Sequence, residues 1–323
     1  MAKAPTAPKT LRASSVYLSI IIPLFDEEES LRELHEKVKA VAGRLRKPYE
    51  VIFVDDGSTD GSFKVLQELH AKNPQVKGIR FRRRFGKSAA LSVGFHEARG
   101  EYIVTMDADL QDDPEEIPGL LEALGDRYDL ISGWKKQRHD PISKTIPSRF
   151  FNFVTRLMTG IPIHDFNCGL KAYRRDVVKE VNVYGELHRY IPVLAHYAGY
   201  RVGEKVVQHH PRKYGSTKFG VSRFFRGFLD LLTVIFTTRY IRRPLHLFGV
   251  WGIVSFLIGA AIDIYLSIEW AMGTTALSNR PLFLVGFLFI IIGIQFVSIG
   301  LLGEMITRQQ KTDEGYSIRE VLK

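Results

Sequence analysis

The sequence predicts an α/β domain built on a parallel sheet, followed by two helices that cross a membrane. Short apolar runs alternate with helical patterns through the first part of the chain, carboxylates follow two of these runs, and two long apolar runs lie in the last quarter. With 323 residues, the chain has room for one α/β domain of about 200 to 250 residues and a smaller second part.

Five apolar runs are the predicted strands: Leu18–Leu24, Tyr49–Val54, Val76–Phe81, Tyr102–Met106 and Asp129–Gly133. Helical patterns at 28–46, 61–72 and 88–98 separate the first four. Alternation of this length is typical of parallel βαβ units. We therefore expect the ligand site at the carboxyl ends of the strands.

Two acid clusters fall at those ends, Asp55 with Asp56 and Asp107 with Asp109. Carboxylates about 6 Å apart repel by roughly 3 kcal/mol at an effective dielectric near 20, so a cation must offset the charge. Alternate side chains of an extended segment face one side, and Gln111 continues the alternation. Oxygen ligands select Mg²⁺ or Mn²⁺. The pattern predicts that Asp107, Asp109 and Gln111 hold such a metal, which bridges to a diphosphate.

A plainer interpretation of these acids is a solvated loop before a helix near Pro114. This interpretation fits Asp112, Asp113, Glu115 and Glu116 better than a metal site does, because acids are favourable at a helix N-terminus.

The dinucleotide-binding pattern GxGxxG is absent after the first strand, where Pro23–Glu27 lies instead. A pyrophosphate bound at a glycine-rich helix start is therefore not expected.

The last quarter contains two apolar runs, Leu247–Ile268 and Leu282–Leu302, each about as long as a bilayer core requires. Arginines and lysines flank the pair, and only Arg280 lies between the runs, so both ends are expected in the cytoplasm. Met1–Ser15 is polar and does not resemble a signal peptide, so the main domain is not expected to be exported.

The net charge of +10 is compatible with a protein that binds nucleic acid. The basic residues gather before the membrane runs, which favours anionic lipid and a phosphate-bearing substrate over nucleic acid as the binding partner.

The single cysteine, Cys168, excludes an intrachain disulfide and a cysteine-based zinc cluster. We expect it to be a small buried thiol.

Five motifs carry a resemblance to a known family. In chain order they are IIPLFDEEESL, VIFVDDGSTDGS, FGKSAALSVGF, TMDADLQDDPEEI and DFNCGLKAYRR. From about Leu18 to the C-terminus, the chain resembles family 2 glycosyltransferases of the GT-A fold, and within them the polyprenyl-phosphate glycosyltransferases. Two positions depart from the family pattern: Phe25-Asp26 stands for the usual Tyr-Asn, and Arg84 for a frequent Asn.

The resemblance implies roles for matching residues. The nucleotide-sugar site would contain Pro23, Glu27, Asp55, Asp56, Lys87 and Asp107, with Asp55 at the base and Asp56 supporting the loop or the ribose. The metal would be held by Asp107, Asp109 and Gln111, and the catalytic residues would be Asp165, Asp109 and Arg212.

The acceptor side needs cations, since a lipid monophosphate with a second pKa near 6 is already an anion at pH 7. Arg212 and Lys218 are the main candidates, and Arg138 and Arg149 are looser ones that suit surface ion pairs equally well. For the same reason Asp165 need not act as a base; it can position the sugar or acceptor, or cap a turn. His209 and His210 are left unassigned.

The resulting domain prediction has five parts: a flexible segment 1–16, a catalytic domain 17–218, interfacial helices 219–245, a two-helix membrane domain 246–303 and a cytoplasmic tail 304–323. Segment 219–245 carries an apolar stripe at helical spacing with arginines between, which predicts a helix in the membrane interface or one facing the domain core.

The predicted function is metal-dependent, inverting transfer of a sugar from a UDP- or GDP-sugar to polyprenyl phosphate by a homo-oligomeric membrane enzyme. One alternative is a processive polysaccharide synthase, whose usual Gln-x-x-Arg-Trp motif this sequence lacks. The other is a non-catalytic membrane scaffold with a transferase-like domain, against which the intact acids argue.

Overall fold

The computed structural model describes residues 16–136, 142–185, 187–211, 213–214, 233, 236, 244–273 and 280–309. The chain folds into two compact units, Met1–Val234 with Tyr316–Lys323, and Ile235–Gly315. The predicted interfacial helices at 219–245 lie almost wholly outside the described residues.

A seven-stranded sheet forms the centre of the first unit, in the order β3-β2-β1-β4-β6-β5-β7. The strands are β1 Leu18–Leu24, β2 Tyr49–Asp55, β3 Val76–Arg80, β4 Tyr102–Thr105, β5 Leu130–Trp134, β6 Lys171–Arg174 and β7 Val202–Val206. Strands β1 to β4 pair parallel with one another, β3 with β2, β2 with β1 and β1 with β4, which confirms the predicted βαβ units.

Strand β6 is the exception to the parallel arrangement. It runs antiparallel to both β4 and β5 and separates them. Strand β7 then pairs parallel to β5 at the edge. The sequence pattern missed β6 (KAYR) and β7 (VGEKV), because neither has an apolar run or a regular alternation of apolar and polar residues.

Helices cover both faces of the sheet. They are α1 Glu28–Arg44, α2 Ser62–Lys72, α3 Lys87–Glu97, α4 Ile117–Leu124, α5 Ile142–Thr159, α6 Arg175–Glu180 and α7 Ile191–Tyr197, with 3₁₀ turns at Pro114–Glu116 and Leu187–Tyr190. Strand β1 is buried throughout, and its alternation divides the core: Ile20 and Ile22 join the apolar cluster with Leu31 of α1, whereas Ile21 joins the cluster with Leu91 of α3.

Two long helices make up the described part of the second unit, α8 Pro244–Ala271 and α9 Pro281–Gln309. Both are long and apolar enough to cross a membrane: the most apolar 18 residues within Pro244–Ala271 have a mean hydropathy of 2.0, and those within Pro281–Ile306 have one of 2.7. Their backbones pack closely through glycines. A Cβ on Gly259 would lie 2.4 Å from the carbonyl oxygen of Gly286, so the pair depends on small residues at the contact.

Candidate active site

The loops after β1 and β2 are tied together side by side. The backbone N–H of Asp26 donates to Ser58 Oγ (2.9 Å), and Asp26 Oδ1 accepts from the backbone N–H of Thr59 (2.8 Å). The N–H of Glu27 donates to Ser62 Oγ (3.0 Å). Asp26 has a positive φ of 55°, which Asp tolerates better than most residues. The loop after β1 therefore has a fixed course over the end of β2.

Asp55 ends β2 and is fully buried. Its Oδ1 accepts from the N–H of Ser58 (2.8 Å), and its Oδ2 lies 3.4 Å from Nε of Arg80. Oδ2 makes no hydrogen bond with any residue in the described part of the chain. A buried carboxylate oxygen in this state has unused capacity for a donor such as the N–H of a nucleobase.

Asp56 holds the loop that precedes α3. Its carboxylate accepts from the backbone N–H groups of Phe85 (2.7 Å) and Gly86 (2.9 Å). Gly57 supports the same contact, since it has a φ of 75° and a Cβ there would lie 2.7 Å from the backbone of Arg83. In the structure Asp56 supports this loop; the alternative contact with a ribose stays a prediction.

The two departures from the family pattern contact each other. The guanidinium of Arg84 lies 4.2 Å from the ring centroid of Phe25, a distance typical of cation–π pairs. Arg84 Nε is also 3.9 Å from Asp56 Oδ2. The side chains at two positions that depart from the family pattern, Phe25 and Arg84, therefore pack against each other.

Asp107 follows β4 and forms an ion pair with Lys87, the first residue of α3. Burial alone would raise the pKa of Asp107, but the charges of Lys87, Lys135 and Lys171 lower it to about 2. The carboxylate is therefore ionised at neutral pH. Gly169 makes room for it, because a Cβ at that position would lie 2.6 Å from Asp107 Cγ.

Asp109 and Gln111 lie in the turn after Asp107. Asp109 Oδ1 accepts from the N–H of Gln111 (3.2 Å), and Leu110 between them has a φ of 61°. The segment before Arg212 docks on this turn: the N–H of His210 donates to the carbonyl of Gln111 (2.9 Å), and Gln111 Nε2 donates to the carbonyl of His210 (3.4 Å).

The sequence interpretation placed Asp112 among the acids of a solvated loop, and its burial contradicts that placement. It is buried, accepts from the N–H of Asp107 (3.1 Å) and pairs with Lys135 Nζ at 2.8 Å. Burial alone would lower the pKa of Lys135, but the charge of Asp112 raises it above its ordinary value. Lys135 directly follows β5, so its position at a strand end could have identified it.

The acids at the start of the following 3₁₀ turn, Pro114–Glu116, have the structural role expected of acids at a helix N-terminus. Asp113 caps the 3₁₀ turn by accepting from the N–H of Glu115 (3.0 Å), and it also pairs with His210 Nε2 (2.9 Å). Glu116 binds Lys205 Nζ (2.9 Å). These contacts assign the two acids to the fold rather than to a ligand.

A narrow cleft brings several of the predicted residues together. Its lining includes Pro23, Lys87, Thr105, Asp107, Asn167, Gly169, Lys171 and His188. The ammonium of Lys171 is buried and donates to the carbonyl of Cys168. His188 is hydrogen-bonded to Ser88 Oγ (3.0 Å). Lys171 and His188 were missed in the sequence because neither stands at a predicted strand end.

Asp165 is buried beside this cleft at 1% exposure. Its Oδ1 accepts from the N–H of Asn167 (3.0 Å), and its carbonyl accepts from Ser132 Oγ (3.0 Å). This is the turn-capping geometry that the sequence also allowed, and the predicted catalytic role stays a prediction. Cys168 is a buried free thiol, as expected, and burial raises its pKa to about 12.

The acceptor-side candidates are spread more widely. Arg149 is exposed on α5, and no carboxylate in the described part of the chain pairs with it. Arg138, Arg212 and Lys218 lie outside the described residues. Their predicted contacts with the acceptor phosphate stay predictions.

The donor set at the Asp107 turn fits a hard divalent cation. Asp107 is ionised, Asp109 is half-buried in the same turn, and both offer oxygen ligands. Among the described residues, no group of three or more His, Cys, Asp and Glu side chains is arranged to hold a metal. Two carboxylates with a substrate diphosphate would suit Mg²⁺ or Mn²⁺, which often takes phosphate oxygens as ligands.

Comparison with known proteins gives a consistent result. The model of the family "Glycosyl transferase family 2" matches residues 19–181. A dodecaprenyl-phosphate galacturonate synthase of Rhizobium johnstonii is 37% identical over 95% of this chain and 93% of its own length. An undecaprenyl-phosphate 4-deoxy-4-formamido-L-arabinose transferase of Edwardsiella ictaluri is 35% identical over 90% of this chain and 89% of its own.

A solved structure shares the fold of the first unit. The glucosyl-3-phosphoglycerate synthase of Mycobacterium tuberculosis, crystallised with Mn²⁺ and UDP-glucose, superposes with a TM-score of 0.50 at 17% identity. The match covers 69% of this chain and 79% of that protein.

Proposed function

The chain belongs to glycosyl transferase family 2, with a GT-A-like sheet, and from that premise we propose that it transfers one sugar from a nucleotide-sugar to polyprenyl phosphate. Relatives aligned over most of both chains carry names of this activity, and two helices are long and apolar enough for a membrane. The observation that carries the proposal is the arrangement of Lys87, Asp107 and Asp109 at the same end of the sheet as Asp55, which lies one strand further along.

On the donor side, each described residue has a proposed task. Asp55 accepts a hydrogen bond from the nucleobase through its unused Oδ2, and Asp56 keeps the loop before α3 in place. Lys87 meets the diphosphate from the start of α3, where the helix N-terminus also favours negative charge. Asp107, Asp109 and Gln111 hold the divalent cation, which when bound offsets the negative charge of the leaving diphosphate.

On the acceptor side, a phosphate oxygen of the lipid attacks the anomeric carbon from the face opposite the diphosphate. The carbon–oxygen bond to the diphosphate breaks, the nucleoside diphosphate leaves with that electron pair, and the configuration inverts. The acceptor is already anionic at neutral pH, so no base is required. Asp165, held by its turn, positions the reacting groups, and Arg212, Lys218, Arg138 and Arg149 are the proposed cations for the acceptor phosphate.

The cleft favours a donor sugar that carries a carboxylate. Two ammonium groups, those of Lys87 and Lys171, line it together with His188. Asp107 forms its ion pair with Lys87, whereas the buried Lys171 donates to the carbonyl of Cys168. A hexuronate would bring its own negative charge to Lys171, whereas a neutral hexose would not.

The test is nucleoside diphosphate release by the purified full chain with matched donors. We expect UDP-galacturonate to exceed UDP-galactose in kcat/KM by about 10-fold or more, since the two differ only in the C6 group. Lys171→Met should remove that preference. Equal rates with both donors, or a preference for UDP-galactose, would reject the uronate proposal and leave the transferase proposal standing.

The metal site is tested in the same assay. Asp109→Ala should lower kcat at least about 100-fold without changing the thermal unfolding temperature by more than a few degrees. EDTA should abolish release, and Mg²⁺ or Mn²⁺ should restore it. The matched control is Asp113→Asn, which keeps a helix cap four residues away and should retain activity. Full activity of Asp109→Ala, or activity unaffected by EDTA, would refute the metal assignment.

A further inference from the structure

One carboxylate of the edge strand holds the residue that leads into the turn of Asp165. Glu204 Oε2 on β7 accepts from the backbone N–H of His164 (2.6 Å), and Glu204 Oε1 lies 2.5 Å from His164 Nδ1. Because an ionised carboxylate can only accept, Nδ1 carries the hydrogen of this bond and donates it. Glu204 therefore fixes both the backbone and the ring orientation of His164, the residue directly before Asp165.

Glu204 belongs to a row of polar side chains that crosses three strands. Ser132 of β5 lies opposite Lys171 of β6 on one side and opposite Glu204 of β7 on the other. Residues that lie opposite each other in register point to the same face of a sheet. Ser132 Oγ donates to the carbonyl of Asp165 (3.0 Å). Two neighbours in the row thus hold two consecutive residues, His164 and Asp165.

The imidazole of His164 also packs on the last residue of β5. It is stacked on the indole of Trp134, with ring centroids 4.2 Å apart and 13° between the ring planes. Stacked rings at this separation are in direct contact and attract each other. By fixing the imidazole, Glu204 also fixes the surface on which Trp134 rests.

The end of β5 connects this cluster with the turn of Asp107. Lys135, which directly follows Trp134, pairs with Asp112 Oδ1 at 2.8 Å. Asp112 Oδ2 in turn accepts from the backbone N–H of Asp107 (3.1 Å). Consecutive residues at the end of β5 therefore contact the His164 ring on one side and the support of Asp107 on the other.

We propose that Glu204 and His164 are positioning residues for the sugar transfer, and that they set the position of Asp165 relative to Asp107. They act through the backbone of the Asp165 turn and through Trp134, without touching a substrate. The inference rests on the proposed function, since it gives the two residues a role in the same reaction.

A loss of this support should affect turnover rather than donor binding. The donor-side residues Asp55 and Lys87 are held by contacts of their own, with Ser58 and Asp107. Displacing the turn of Asp165 leaves those contacts in place. A positioning role therefore predicts a lower kcat with an unchanged KM for the nucleotide-sugar.

The experiment measures nucleoside diphosphate release by the full chain with undecaprenyl phosphate and the donor that the wild type uses fastest. Glu204→Leu should lower kcat at least about 10-fold, because small displacements of reacting groups are costly in rate. The donor KM should stay within about 2-fold. Glu204→Gln should restore most of the rate, since its amide oxygen can accept from the N–H of His164 while its amide nitrogen donates to Nδ1 of the other imidazole tautomer.

Arg201→Leu is the matched control, because it removes an ion pair between the same two segments at their opposite ends. Arg201 precedes β7 and binds Asp129, which precedes β5, through Nε (3.0 Å) and Nη2 (3.0 Å). The side chains of this pair are 42% and 17% exposed, against 45% and 17% for His164 and Glu204. The control should lower the unfolding temperature at least as much as Glu204→Leu does and keep the wild-type kcat. Equal losses of kcat in both variants, or no loss in Glu204→Leu, would overturn the proposal.

A double variant tests whether Glu204 acts through His164. Glu204→Leu combined with His164→Ala should lose no more rate than the more affected single variant, because both changes release the same contact. Losses that multiply in the double variant would contradict this route.

A second measurement does not depend on activity. The chain has three tryptophans, so Trp251→Phe with Trp270→Phe leaves Trp134 alone to be labelled as 5-fluorotryptophan. Its ¹⁹F resonance should shift in Glu204→Leu and stay in place in Arg201→Leu, because only the first change releases the stacked imidazole. An unchanged resonance in Glu204→Leu would overturn the proposal. Absence of lipid-dependent release in the wild type would instead refute the proposed function, so the two failures are distinguishable.

Discussion

At the scale of single residues, Asp107 owes its charge to its neighbours. A half-buried carboxylate would gain a proton more readily than one in water, but three lysines near it reverse that effect and lower its pKa to about 2. The ion pair with Lys87 contributes to stability only while Asp107 is ionised. Its contribution is complete above the unfolded pKa near 3.9 and is lost as the pH falls toward about 2.

This predicts a pH-dependent effect of Lys87→Met. The difference in unfolding temperature between wild type and variant should be largest at pH 7 and shrink between about pH 4 and pH 2, because Asp107 of the folded variant gains its proton at a higher pH than Asp107 of the folded wild type. Thermal unfolding of the detergent-solubilised chain from pH 2.5 to 7 measures it, with Lys64→Met on the exposed side of α2 as the control. A difference that stays constant across this range would mean that Lys87 stabilises the fold by packing alone.

At the scale of elements, the site depends on how closely the segment before β6 approaches the turn after β4. Gly169 is the closest point, since a Cβ there would overlap the carboxylate of Asp107. Strand β6 aligns that segment by pairing antiparallel with β4, from Lys171 opposite Thr105 to Arg174 opposite Tyr102.

Gly169→Ala is therefore expected to displace Asp107. We predict a fall in kcat/KM of about 100-fold, because a shift of about 1 Å in a reacting geometry costs that much. The unfolding temperature should fall by only a few degrees. Gly43→Ala is the matched control, since a Cβ there meets nothing within 4 Å and should leave both values unchanged. Wild-type activity in Gly169→Ala would show that Asp107 is not needed in its present position.

The elements also show what the sequence could predict. Strand β1 was predicted to the residue, and β2, β3 and β4 within one residue. Strands β1, β2 and β4 are buried parallel strands with continuous apolar runs, whereas β3 (VKGIR) is only partly buried. Strand order could not be predicted this way, since periodicity does not record which strand lies beside which. The position of β6 between β4 and β5 therefore could not be predicted from the sequence.

Only part of the candidate site could be predicted from the sequence. Asp55, Asp56, Asp107 and Asp109 stand at ends of predicted strands, where the fold rule points to them. Asp112 was misassigned because an acid near a helix start is usually a solvated residue that favours the helix N-terminus. Only its buried ion pair with Lys135 shows that Asp112 is not such a residue. Lys171 and His188 reach the cleft through tertiary packing, which leaves no local pattern.

At the scale of the whole molecule, the chain combines a sugar-transferase sheet with two helices suited to a bilayer. Close glycine contacts hold α8 against α9, in keeping with a membrane pair rather than a soluble core. The cytoplasmic orientation of both ends and the homo-oligomeric state remain predictions from the sequence. Such a combination suits a reaction with one soluble and one lipid-bound substrate.

The measurement that tests this account most directly is nucleoside diphosphate release by the full chain in lipid nanodiscs, with and without undecaprenyl phosphate, followed by mass spectrometry of the lipid product. The account predicts that release requires the lipid and yields a single lipid-linked sugar. A ladder of products would identify a processive synthase. Donor binding without any lipid-dependent release would contradict the account and favour a non-catalytic scaffold.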